Sequence, residues 1–166
     1  MDTRTITRGA IAGMVGGMMM GMFAMLAMWL DGQRDTGFWT PLNLIAHTIW
    51  RGAPLDAEFS GGGLVLGGII HMMMSMGLGA GIAVLVSRVP RLGATLGSRI
   101  VTGVMIAMTV WAVMEYVIWQ LIDSAAANAF TTWILAVAHL VFGMTTPLAL
   151  YALSASAGAA AQASRA

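Results

Sequence analysis

Leu64-Val65-Leu66-Gly67-Gly68-Ile69-Ile70-His71-Met72-Met73-Met74-Ser75-Met76-Gly77-Leu78-Gly79-Ala80-Gly81-Ile82-Ala83-Val84-Leu85-Val86-Ser87-Arg88-Val89 decides the fold. No charged residue interrupts this stretch before Arg88, and His71 is its only other titratable group. A bilayer core of ~30 Å takes about 20 apolar residues of α-helix. A helix that is apolar on every side belongs in lipid or in a deep core. Residues 64–89 therefore read as a membrane span, and 9–30, 99–122 and 130–153 meet the same test.

The rest of the chain agrees. Of 166 residues, 58% are hydrophobic and only 9% charged, with a mean hydropathy of +0.82. A soluble domain carries about 25% charged residues, so a water-covered surface is excluded, and with it a soluble enzyme or a disordered chain. A net charge of +1 provides no field for nucleic acid. The absence of Cys removes disulfides and thiolate chemistry. Every basic residue is Arg, which excludes Schiff-base lysines.

Arginine placement predicts the orientation. Arg4, Arg8, Arg88, Arg91, Arg99 and Arg165 fall on one side, and only Arg34 and Arg51 on the other, beside Asp31, Asp35, Asp56, Glu58 and Asp123. By the positive-inside rule both termini are cytoplasmic. The expectation is a single all-α membrane domain over 1–166, a polytopic four-helix bundle in a bacterial cytoplasmic (inner) membrane. The first apolar run is longer than a signal-peptide core and lacks a cleavage site after it, so it reads as a retained anchor. The Ala/Ser-rich tail from Ser154 reads as a frayed end.

One outer loop stands apart. Segment 31–63 far exceeds the ~12–15 residues beyond which a loop usually has its own structure or function. Within it Thr40 suits an N-cap, Pro41 a first helical position and Gly52 a terminator. A short interfacial helix over 41–51 is expected. Leu42, Ile45 and Ile49 form one of its faces, and Asn43, His47 and Arg51 stack on another. Phe38, Trp39 and Trp50 suit the headgroup region. Such a helix either plugs the outer mouth of the bundle or acts as a lid that delivers His47, and with it Arg51, to a site below.

Helices two and four share a short pattern: His71-Met72-Met73-Met74-Ser75-Met76 matches His139-Leu140-Val141-Phe142-Gly143-Met144 as His-x-x-x-small-Met. A weaker match relates Gly13–Met18 to Gly103–Met108. The equivalent helices run in the same direction, so the pattern suggests a parallel duplication about an axis along the membrane normal.

Titratable groups inside spans cost roughly 2.5–3.5 kcal/mol each on insertion scales and are functional candidates. His71, Glu115 and His139 are the ones well inside these spans. At about 1.5 Å per residue all three fall ~10–14 Å below the outer helix ends, in one layer. His47 lies on the same side. Two or three imidazoles and a carboxylate suit Zn, Cu or non-haem Fe. Alternatively, His71 and His139 are the two axial ligands of a haem b, with Gly67, Gly68, Ser75 and Gly143 leaving room for a flat group. The bland counterpart is that these groups hydrogen-bond between helices and the glycines mark close packing.

Secondary candidates are Asn43, Arg51, Met25, Met76 and Met144. Thioethers suit Cu(I), although the Met14, Met18, Met22, Met25 stripe reads more readily as apolar filler. Trp111, Tyr116, Trp119 and Trp133 read as an aromatic belt or as a surface for a quinone or porphyrin edge.

The layout resembles small uncharacterised bacterial inner-membrane proteins with four spans and a histidine in the second and the fourth. The resemblance implies architecture and carries no activity. The leading expectation is an accessory or redox-related protein, not itself an enzyme, that binds a metal ion or haem in its outer half. The alternative is a structural or assembly subunit of a larger membrane complex or homo-oligomer. The third reading, a small proton-coupled transporter using Glu115 and the histidines as a relay, is weakened because no mid-span Pro break opens a helix; Pro147 lies toward the inner end of helix four.

Overall fold

In a computed structural model the described residues, 2–32 and 35–163 (side chains through 156), form helices joined by turns and irregular loops, without strands. Arg34 and Arg165, used above for orientation, lie outside them. The helices are α1 (Thr3–Asp31), α2 (Thr40–His47), α3 (Gly61–Arg88), α4 (Pro90–Gly93), α5 (Leu96–Val113), α6 (Trp119–Ile122), α7 (Ser124–Ala129) and α8 (Thr132–Ala163). A π-helical turn, Met114–Ile118, joins α5 to α6. Four helical segments, Thr3–Asp31, Gly61–Arg88, Leu96–Ile122 and Thr132–Ser156, are long and apolar enough to cross a membrane. The chain is a multi-pass membrane protein.

Local chemistry sets the helix ends. Asp2 caps α1 through the Arg4 amide (3.0 Å), and Gly32 ends that helix with φ 58°. Ser60 caps α3 through the Gly63 amide (3.1 Å). Thr95 and Ser98 form a reciprocal capping box at the start of α5, satisfying two donors that the first turn leaves free. The tail expected to fray from Ser154 continues α8 to Ala163.

The spans are arranged as an open arc. α1 packs closely on both α3 and α8, and α5 packs on α8, while α3 and α5 barely touch. A duplication of the two-helix unit would make the α1–α8 and α3–α5 contacts equivalent. They are not, so the arc has one open side. The α1–α3 seam is backbone on backbone: a Cβ on Gly13 would collide with the Ser75 carbonyl and come within 2.9 Å of the Gly79 Cα. Lipid tails are as apolar as the helices, so close van der Waals approach between small residues is what joins them. The Met stripe of α1 takes no part in this seam. Met14, Met18 and Met22 are exposed on the outside of the arc, and buried Met28 fills the core instead.

α2 crosses one end of the arc as a roof. Its N-cap is Trp39, not the expected Thr40, and it ends at His47, where the amides of Ile49 and Trp50 both bond the Ala46 carbonyl (3.0 and 2.8 Å). Thr40 works inside the first turn: its hydroxyl accepts from the Gly37 amide (2.8 Å) and donates to the Asp56 carbonyl (2.9 Å). α2 is packed into the end of the bundle. Thr40, Pro41, Asn43, Leu44, Ala46 and His47 are buried, and Leu44 joins Met28, Phe130 and Ile134 in the core beneath.

Candidate functional site

Below α2, on the open side of the arc, lies a cavity of about 610 Å³. Cofactor and small-molecule sites run from about 300 to 1,000 Å³ and are mostly apolar with a few polar groups. This one fits that description. Leu42, Ile45 and Ile49 of the roof segment, the face read from the sequence, form its ceiling, and Met20, Gly21 and Ala24 of α1 form its back. Ile70, Met74 and Leu78 face Val110, Met114 and Ile118 from the opposite side. Polarity is contributed by His71, Glu115 and His139, together with Ser75, Thr48 and Trp111.

The two histidines on α3 and α8 therefore share one chamber, as does the carboxylate. His71 Nε2 donates to the Gly17 carbonyl across the α1–α3 seam at 2.9 Å. His139 Nδ1 donates to the Leu135 carbonyl one turn earlier in α8 at 2.8 Å. A carbonyl can only accept, so each of these nitrogens carries the ring proton. In the neutral ring this leaves His71 Nδ1 and His139 Nε2 as the acceptor nitrogens, and neither has a hydrogen-bond partner among the described residues. A Cβ on Gly21 would sit in ordinary van der Waals contact with the His71 ring, 3.4 Å from its Nε2.

Glu115 is placed by the π-helical turn, 6% exposed, and accepts from the Thr132 hydroxyl at 2.9 Å. Single π turns inside long helices recur at functional sites because the extra residue re-aims the side chains that follow. Trp111 adds an unusual group: its indole N–H is buried without a partner among the described residues. Indole donors normally find an acceptor when buried.

His47 does not join this group. It turns away from the cavity to Asp123, Nδ1 to Oδ2 at 2.5 Å. Arg51 pairs with the same carboxylate oxygen and donates to the Ile122 carbonyl at 2.6 Å. Asn43 also faces away, donating to the Glu58 carbonyl at 2.8 Å. Met25 is half-buried, while Met76 and Met144 are exposed on the outside of the helices; the thioethers that line the cavity belong to Met20, Met74 and Met114. Among the described residues no cluster of three or more His, Cys, Asp or Glu is placed to hold a metal ion. Of the aromatics, Trp111 and Trp119 line the chamber, whereas Tyr116 and Trp133 are 61% and 55% exposed.

Asp123 is the residue that sequence reasoning missed. Its carboxylate caps α7 through the Ala126 amide (3.2 Å) while it binds His47 and Arg51 of the roof segment. Burial alone would push its carboxyl up. The hydrogen bond from His47, the Ala126 amide and the charges of His47 and Arg51 together outweigh that and hold it below its ordinary value of 3.8. The signal in the sequence was a lone acid between two apolar helices followed by Ser-Ala-Ala.

Comparison of the chain with protein-family models, with curated proteins and with solved structures finds no match.

Proposed function

We propose that this membrane protein binds a haem b in the roofed half of the arc, with His71 and His139 as its two protein ligands, and serves as an accessory or electron-carrying component. The observation that carries the reading is the pair of histidines, on α3 and α8, that line one apolar cavity, each with one ring nitrogen tied to a main-chain carbonyl and the other without a hydrogen-bond partner among the described residues. Imidazoles that bind metals are held in this way, the second nitrogen donating to a carbonyl or carboxylate to fix tautomer and orientation. A bare ion asks the protein for three or four ligands. A haem brings its own equatorial nitrogens and asks for axial ligands alone, which matches a site with two free imidazole nitrogens better than Cu, Zn or non-haem Fe does. Glu115 stands by as a neighbouring carboxylate and Trp111 as an unused donor. In this reading the roof faces the cell exterior, and both termini lie on the cytoplasmic side of a bacterial inner membrane.

The test is an absorption spectrum of the protein purified from haem-replete cells, with a pyridine haemochrome assay. A Soret band that disappears in both His71→Ala and His139→Ala is expected. A colourless protein that also fails to take up added haemin overturns the reading.

A second reading has its own support. The bonds from His71 to the Gly17 carbonyl and from Thr132 to Glu115 both cross between helices, as in a purely structural subunit of a larger membrane complex. Under that reading the same variants lower stability without loss of any pigment, and the native chain co-purifies with a stoichiometric partner.

A further inference from the structure

We infer that the cavity is filled sideways from the lipid phase, through the gap between α3 and α5, by a membrane-dissolved amphiphile, and that the roof segment keeps the aqueous route shut. The inference rests on the ligand-binding reading above and narrows it to ligands that the bilayer itself carries.

The walls of the chamber differ in what it takes to open them. The α1–α3 seam has no spare space, with Gly13 and Gly79 in backbone contact, and α8 packs along both α1 and α5. Only the α3–α5 side lacks close helix contact. On this side the cavity is lined by Met74 and Gly77 of α3 and by Val110 of α5 with Met114 of the π-helical turn. Met74 is 49% exposed, and a Cβ on Gly77 would meet nothing within 4 Å. Methionine side chains are unbranched and adaptable, so a lipophile need displace only soft apolar groups to pass.

The roof is built otherwise. On its α3 edge Leu42 presses its carbonyl against Gly67, where no Cβ could fit, and Asn43 holds the Glu58 carbonyl. Its far edge is clamped to the start of α7 by one carboxylate that binds both His47 and Arg51. Arg51 also closes the rim above Ile49 and Ile122 by bonding the Ile122 carbonyl. Passage from the water must break the shielded His47–Asp123 contact as well as the more exposed Arg51 pair, and a buried carboxylate that loses its partner is left uncompensated. Asp123 is thus the latch of the roof, and α3 is its hinge side.

The chain contains no Cys, so accessibility can be read directly. Val110→Cys places one thiol in the cavity, and Ala57→Cys serves as a water-exposed reference. In lipid nanodiscs each is treated with a charged maleimide and, separately, with an uncharged lipophilic maleimide. For Val110→Cys the lipophilic reagent is expected to react at least tenfold faster, relative to the Ala57→Cys reference, than the charged one. Adding Gly77→Trp to narrow the gap should slow the lipophilic reagent at least fivefold. Adding Asp123→Asn, which keeps an N-cap residue for α7 while discharging the latch, should speed the charged reagent at least tenfold. Arg51→Gln provides the same comparison if the Asn variant misfolds. Equal rates for the two reagents in the parent, or a lipophilic rate indifferent to Gly77→Trp, overturns lateral access, and a charged rate indifferent to both latch variants overturns the latch. No haem is used, so a colourless protein leaves this result standing, and a failed labelling pattern leaves pigment binding untouched.

Discussion

His47 and Asp123 lie 76 residues apart in the chain and 2.5 Å apart in space, Nδ1 to Oδ2. This contact fastens the long loop between the first two spans to the hairpin between the last two. The Asp123 side chain is 2% exposed and that of His47 11%, whereas Arg51 is 54% exposed. The histidine contact is therefore the better shielded half of the clamp, since exposed ion pairs contribute little. Asp123→Asn is expected to lower stability by about 1.5–3 kcal/mol, the range for hydrogen bonds to charged groups. A shift of the unfolding midpoint in an SDS titration measures it. An unchanged midpoint would mean that the roof is held by packing alone.

The same carboxylate gives a pH dependence with a defined sign. Its pKa in the folded protein is lower than in the unfolded chain, so its stabilising contribution is complete above the ordinary value of 3.8. The contribution is lost as pH falls through the lower folded-state value. Stability of the native chain, minus that of Asp123→Asn, should be flat from neutral pH down to about 4 and shrink below it. A difference that instead grows on acidification contradicts the depressed carboxyl.

Glycines along the spans should sort sharply. Gly13→Val and Gly79→Val force side chains into the α1–α3 seam and should cost at least the 1–3 kcal/mol typical of overpacking, read as an SDS midpoint or as lost expression. Gly68→Ala and Gly81→Ala, where a Cβ meets nothing within 4 Å, should be neutral or stabilising by up to about 1 kcal/mol from helix propensity.

Methionines should sort by position in the same manner. Met28 is 0% exposed, and Met28→Ala should cost about 2–5 kcal/mol. Met18→Leu and Met22→Leu, at 57% and 58% exposed, should change the midpoint by less than about 0.5 kcal/mol. Cu(I) binding abolished by replacing this exposed pair would assign the stripe a role that its outward orientation argues against.

Hydropathy made the all-helical fold and its four long apolar helices legible, because a run such as Leu64–Val86 has no other stable setting. The apolar face of the roof was also legible, since Leu42, Ile45 and Ile49 recur at helical spacing and do line the cavity. Neighbour choice among the spans was not. Helices apolar on every side have no preferred face in the sequence, and the glycines that announce close approach do not name the partner. That is why the open α3–α5 side was hidden. The separate face of Asn43, His47 and Arg51 was legible from helical spacing, but the lid reading would have delivered His47 to the chamber; it bonds Asp123 instead, and only tertiary structure brings that carboxylate into reach. Glu115, His71 and His139 were found because ionisable groups are rare in such segments. Thr132 and the main-chain carbonyls that orient them escaped notice, because backbone acceptors leave no mark on residue type.

The seam of Gly13 against Gly79 has a mechanical corollary. The Gly103–Gly143 seam joins α5 to α8 at the same near-backbone distance, so the three successive seams of the arc are close and α5 has α8 as its one close span neighbour. The one edge without such a seam is α3 against α5, so a guest that outgrows the chamber meets soft side chains there and closely packed helices everywhere else around the arc.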